Sequence, residues 1–217
     1  GFDGSLIAGY GQDDRICAYT SFRAAIDQKT IPERTTICLF VDKEETGSDG
    51  NTSINSRFID RIMGKLLELT DGSASYYRIG NIIARSEALS ADVNAAVNPT
   101  FKDVHDLNNA CYINKGVVVT KYTGYGGKYS TSEATGEFMA RIRAMLNSAD
   151  IPWQAGSLGK VDEGGGGTIA KYLANYGMDI VDIGPALIGM HSPYELSGKG
   201  DLYATYLAFS AFISLKN

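Results

Sequence analysis

Strand-length apolar runs alternate along this chain with segments of helical period, and that alternation leaves few architectures open. Ile16, Tyr19, Phe22 and Ile26 recur at helical spacing behind the Asp13-Asp14 pair, whose carboxylates suit a helix N-terminus, so a first helix is read from near Asp13. Residues 36–41 are β-branched and apolar and read as a strand that runs into the polar loop 42–48. Ile54, Phe58, Ile59, Ile62, Met63, Leu66 and Leu67 then mark an amphipathic helix. The pattern repeats. Residues 88–92 form a short strand ending on an acid, and residues 116–122 form a β-branched strand. Phe138, Ile142, Met145 and Leu146 mark a helix, with Ser130-x-x-Glu133 read as a capping box at its start. A strand around Trp153, a helix over 168–176, a strand over 178–183 and a last helix over about 202–213 complete the series. The expected fold is α/β, a three-layer α/β/α sandwich with a mixed sheet, because the βα units are too few to close a barrel. At 217 residues the chain suits one domain.

Composition excludes several functions. With 44% hydrophobic residues, 21% charged residues and a formal net charge of -5, the chain is neither disordered nor membrane-spanning, and it offers no basic surface for nucleic acid. Cys17, Cys38 and Cys111 are odd in number and widely spaced, which fits reduced thiols better than a disulfide framework. There is no Cys-x-x-Cys pair, and His105 and His191 are the only histidines, so a metal here must lean on carboxylates. The opening Gly1-Phe2-Asp3-Gly4 has neither an initiator Met nor a signal-peptide pattern; the expectation is an internal start, an incomplete domain over 1–217 and a cytoplasmic location.

The residues able to carry chemistry gather at strand and loop ends: Asp13, the Glu44-Glu45 pair, Asp92, and His191 within Gly189-Met190-His191-Ser192. In an open α/β sheet those ends form the ligand crevice. A pair of zinc ions about 3.5–4 Å apart needs a bridging carboxylate, terminal carboxylates and imidazoles, and a free carboxylate as base. Each residue also has an ordinary role. A helix-start Asp caps, a Glu-Glu pair is solvated surface, and a lone His after a strand is structural. Composition and spacing leave both sets of roles open.

The segments Gly11-Gln12-Asp13-Asp14-Arg15, Asp42-Lys43-Glu44-Glu45-Thr46-Gly47-Ser48, Ser90-Ala91-Asp92-Val93-Asn94 and Gly189-Met190-His191-Ser192, in this order, resemble the aspartyl aminopeptidase and vacuolar aminopeptidase I family of zinc metallopeptidases. Asn114-Lys115-Gly116 and Gly166-Gly167-Thr168-Ile169 supplement them, and the resemblance spans nearly the whole chain. It implies a zinc-peptidase fold of the phosphorylase/hydrolase-like type and an aminopeptidase that removes N-terminal residues from peptides with two zinc ions, or other divalent metals, and an activated water. It further implies that Asp13 bridges the ions, that Glu45 and His191 complete the shell of one, that Asp92 binds the other, and that Glu44 is the general base. Lys115, Gly166, Gly167 and Met190 would line the substrate. Family members assemble into large homo-oligomers, dodecamers.

The chain departs from the family in one respect: the upstream His-x-Asp motif that completes the second ion is missing. His105, in a polar linker, is read as a surface or substrate-side residue rather than a substitute. The chain alone is therefore expected to bind one zinc well through Asp13, Glu45 and His191, to bind a second poorly, and to hydrolyse peptides weakly or not at all. An acidic substrate preference needs a cation, for which Lys115 and Lys121 are candidates that also read as solvated lysines; a neutral preference is favoured. Rival readings are a two-zinc carboxypeptidase or deacylase and a non-catalytic assembly subunit. The run Glu163-Gly164-Gly165-Gly166-Gly167-Thr168 lacks the Lys-Ser/Thr ending of a phosphate loop. Tyr122, Tyr125 and Tyr129 around Gly124, Gly126 and Gly127 read equally as a hairpin or an oligomer contact.

Overall fold

The computed structural model describes residues 1–126, 129–160 and 162–216; Gly127 of the tyrosine-glycine segment lies outside the described residues. The chain runs β1 (Leu6–Gly9), α1 (Gln12–Ile26), α2 (Phe58–Asp71), α3 (Tyr76–Ala84), β2 (Glu87–Ala91), β3 (Asn94–Ala95), β4 (Val117–Thr120), β5 (Tyr122–Tyr125) and β6 (Tyr129–Glu133). It continues through α4 (Gly136–Ser148), β7 (Trp153–Ala155), β8 (Gly165–Gly166), α5 (Ala170–Ala174), β9 (Asp179–Gly184), β10 (Ala186–Ile188), β11 (Glu195–Gly198) and α6 (Lys199–Ile213).

The central sheet has the order β2-β9-β4-β7, with β2 parallel to β9, β9 antiparallel to β4, and β4 parallel to β7. Its residues face opposite layers in alternation. Val181, Ile183, Val117 and Val119 pack with Ala24 of α1, Phe138, Ile142 and Leu146 of α4, and Ala204, Ala208 and Phe209 of α6. Ile180 and Ala88 point the other way, into a cluster with Ala170 and Leu173 of α5, Ile54, and Ile59 of α2. Helices thus cover both faces of a mixed sheet, and the three-layer expectation is met. A second sheet, β1-β11-β10-β3, stands at the edge of this core, and β5 forms a hairpin with β6 and pairs with β8.

Several local expectations are corrected. Residues 36–41 are not a strand: they find no ladder partner, and only Leu39 and Val41 tuck into the cluster around Ile54. A β-branched run becomes a strand only where another edge accepts its hydrogen bonds. Ser130-x-x-Glu133 does not cap α4; it lies in β6, and the cap is Thr135, whose hydroxyl accepts from Phe138 N at 3.2 Å. In α1 the stripe read as core is turned outward beyond Ile16. Tyr19, Phe22 and Ile26 are exposed, whereas Gln12, Ile16, Cys17, Thr20 and Ala24 are buried against the sheet and α6. Nor does Asp13 begin a regular helix: Asp13 and Asp14 have non-helical backbone angles, their peptide bond is cis, and Gly11 takes the cap position. His105, read as a surface or substrate-side residue, is not at the surface: it is buried at 7% exposure.

Candidate metal centre

Four separate segments meet at one end of the central sheet. Asp13 arrives from the irregular start of α1 and Asp92 from the residue after β2. His191 comes from the turn between β10 and β11, and Glu44 and Glu45 from a short 3₁₀ turn, Glu44–Thr46. That acidic loop is shaped by its own bonds. Ser48 N donates to Lys43 O at 2.8 Å, Gly47 N to Glu44 O at 3.0 Å, and Asp42 N to Thr52 O at 3.2 Å. Tyr172 Oη of α5 donates to Gly47 O at 3.1 Å and ties the loop to the sheet layer. The close approach of β9 to Asp92 requires glycine at 184, since a Cβ there would lie 2.1 Å from Asp92 O and 3.0 Å from Cys17 Sγ.

His191 Nε2 lies 3.0 Å from Asp13 Oδ2 and 3.2 Å from Glu45 Oε2. Ligand bonds of about 2.0–2.1 Å at tetrahedral angles put donor atoms about 3.3 Å apart, close to both distances from His191, and the ligand atoms of all three side chains lie within 4.8 Å of one another. Asp13 is the inner member, with a side chain 8% exposed, while His191 and Glu45 are 61% and 55% exposed. One side of the cluster is therefore anchored in protein and the other opens to solvent. A second group, Asp13, Asp14 and Asp92, also brings ligand oxygens within 4.8 Å of one another. It is made of carboxylates alone.

Packing acids together shifts their proton affinity. Burial, then Glu45, raises the Asp13 carboxyl to about 6, with His191 opposing. Burial likewise raises Glu44, helped by Glu45 and Asp13. Burial raises Asp14 and Asp92; Asp13 and Glu44 add to the shift of Asp14, which a bond from Cys17 partly offsets, and Asp14 and Asp13 add to that of Asp92. A cation would relieve all of these shifts at once, and an imidazole among carboxylates is a donor set zinc accepts. The residues present fit the ion.

Not every expected residue joins the cluster. Met190 packs beneath it, against Ile16, Cys17, Val93 and Leu187. Gly166 lies in β8 and Gly167 against Ser130, on the glycine-rich approach to α5. Lys115 is exposed in a turn whose N–H groups are held by Asp201. Lys121 is ion-paired with Glu133.

Three acids escaped sequence reasoning as site components. Asp14 joins the second group. Asp182, in β9, is raised to about 6 by burial, with the Ser90 and Thr168 hydroxyls softening the shift, and its Oδ1 is buried without a hydrogen bond. An acid inside the apolar run Ile180-Val181-Asp182-Ile183 was the available signal. Glu195 is 1% exposed and accepts from the backbone of Gln12, Asp13 and His191. Nothing in its local sequence announces that.

A family model described as aminopeptidase I zinc metalloprotease (M18) matches residues 1–213. The chain is 50% identical over 213 residues to a probable M18 family aminopeptidase 1 of Thermotoga maritima, covering 98% of this chain and 47% of that protein. The crystal structure of an M18 aminopeptidase from the same organism superposes with a TM-score of 0.94 at 50% identity, over 98% of this chain and 47% of that one. Aminopeptidase I of Clostridium acetobutylicum superposes with a TM-score of 0.90 at 43% identity, over 100% of this chain and 46% of that one. The chain spans about half the length of the relatives it matches.

Proposed function

The chain belongs to the aminopeptidase I zinc metalloprotease (M18) family, and from that premise we propose that it carries the catalytic face of a two-zinc aminopeptidase that hydrolyses N-terminal residues from peptides. The observation that carries this is the meeting of Asp13, Glu45 and His191, with His191 Nε2 3.0 Å and 3.2 Å from the two carboxylates, and of Asp13 with Asp14 and Asp92 in a second group. Asp13 would be shared by two ions, Glu45 and His191 would complete the set of residues holding one, and Asp92 would hold the other. Residues 1–217 are on this reading part of a catalytic domain. An imidazole for the second ion would have to come from outside these residues, since among the described residues the group around Asp92 holds carboxylates alone and the relatives are about twice as long.

When bound by these residues, zinc would supply positive charge to polarise the scissile carbonyl and to lower the pKa of a water toward neutrality. The chain's own residues handle the proton. Glu44, half-buried and raised by its acidic neighbours, holds a proton nearer neutrality than an exposed glutamate, which suits a base that takes one up and passes it to the leaving amine. A neutral residue at the substrate N-terminus is favoured, since Lys121 is already matched by Glu133. We assign the protein to the cytoplasm on its three free cysteines, and to a homo-oligomer on the exposed apolar stripe Tyr19, Phe22 and Ile26 of α1. Among the described residues no helix is long and apolar enough to cross a membrane.

The test is hydrolysis, by the full-length protein that contains this chain, of leucyl, aspartyl and glutamyl chromogenic substrates, each with a free or an acetylated N-terminus. Turnover is expected with the free amine only and fastest on the leucyl substrate, and Glu44→Gln is expected to lower kcat by about 10²–10⁴-fold with bound zinc unchanged. Equal turnover of acetylated substrates, or loss of zinc in Glu44→Gln, would overturn the assignment.

A further inference from the structure

We propose that Glu195 is a positioning residue for this cluster: its buried carboxylate binds the backbone of both Asp13 and His191 and so sets the spacing of two side chains that share a metal ion. The proposal rests on the reading of that cluster as a zinc site. Glu195 opens β11, opposite Gly9 of β1, and is 1% exposed. One oxygen, Oε2, accepts from Gln12 N at 2.6 Å and Asp13 N at 3.3 Å; the other, Oε1, accepts from His191 N at 2.9 Å. All three donors thus belong to ligand residues or to the neighbour of one.

Both residues depart from the backbone their elements would impose. Asp13 has an extended ψ of 109° within the first turn of α1, so helical bonds do not hold it, and His191 has φ 63°, in the left-handed region that side chains rarely adopt. The His191 conformation is of the kind that persists where surrounding bonds over-determine it. Gln12 adds to the clamp, since its Nε2 donates to Glu195 O at 2.7 Å and its Oε1 accepts from Ser197 Oγ. The segments carrying Asp13 and His191 lie far apart in sequence, and one carboxylate bridges them.

A buried carboxylate can be merely structural, and Asp201 supplies the comparison. It is 0% exposed and accepts from Asn114 N at 2.6 Å and Gly116 N at 2.7 Å, a turn that carries no member of the cluster. Glu195→Gln keeps the side chain's shape but replaces one acceptor by an amide donor. Whichever way the amide turns, His191 N or the Gln12 and Asp13 pair faces a donor. Glu195→Asp is one methylene too short to reach both.

The experiment measures zinc affinity of the whole chain by chelator competition, the absorption spectrum of the cobalt-loaded chain, and circular dichroism. Both Glu195 variants are expected to keep the fold, to bind zinc about 10–100-fold more weakly than the parent and to shift the cobalt bands, whereas Asp201→Asn loses thermal stability with zinc affinity within about threefold. Folded Glu195 variants with parental zinc affinity would overturn the proposal, and so would an equal zinc loss in Asp201→Asn. If Glu195→Gln fails to fold, Glu195→Asp decides by the same criteria. A parent chain that binds no zinc would sink the underlying site assignment, and the role of Glu195 with it.

Discussion

Asp182 places a carboxyl on the sheet face that also carries Ile180, toward the layer of α5 and the acidic loop, and leaves one oxygen without a hydrogen bond. Burial raises it from 3.8 to about 6. The sign follows from linkage: with the folded value above the unfolded one, the fold holds the proton more tightly, so this group's cost is absent below about pH 4 and fully present above about pH 7. Metal-free Asp182→Asn is therefore expected to be more stable than the parent at about pH 8, by up to about 3 kcal/mol, and indistinguishable near pH 3.5. Urea unfolding at the two pH values checks this, and an equal difference at both would refute it. The Asp182 charge adds, as the smallest of the contributions, to the upward shifts on Glu44 and Asp92. At this scale the candidate donors were legible, because Asp13, Glu45, Asp92 and His191 stand out by type and motif, and the structure brings them into two adjoining groups. Asp182 and Glu195 were not, since their roles are created by burial and by partners remote in sequence.

Elements divide along a similar line. Helix α4 and strands β4 and β9 bury apolar residues in the core, whereas α2 buries Leu67 and leaves Phe58, Leu66 and Leu69 exposed; these four elements and β2 fall where periodicity and β-branching put them. Segment 36–41 and the first turn of α1 do not, since a strand needs an edge and an N-terminus can be bent by what it must present. The cap of α4 separates two sequence signals only five residues apart. Thr135→Ala is expected to cost about 1 kcal/mol of stability, whereas Ser130→Ala, on the exposed hairpin, should change it by less than about 0.5 kcal/mol. The midpoints of denaturant unfolding distinguish them; the reverse order would restore Ser130 as the cap.

For the whole molecule the central matter is how many ions this chain holds by itself. Asp13, Glu45 and His191 make one position with an imidazole, while Asp13, Asp14 and Asp92 make another without one. Calorimetric titration is expected to give one tightly bound zinc and a second at least about tenfold weaker, and zinc at about 100 times its dissociation constant should stabilise the fold by about 2.7 kcal/mol. Two equally tight ions would mean that the carboxylate group suffices. The sequence by itself determined the layer architecture and the family, because these depend on residue type, local period and ordered motifs. Only the tertiary structure decided that the side chains of Asp13, Glu45 and His191 converge, how deeply Asp13 is anchored, and that Glu195 accepts from the backbone of both Asp13 and His191. Those properties arise from contacts between segments as distant as residues 13 and 195, and no local pattern encodes the distance across which they meet.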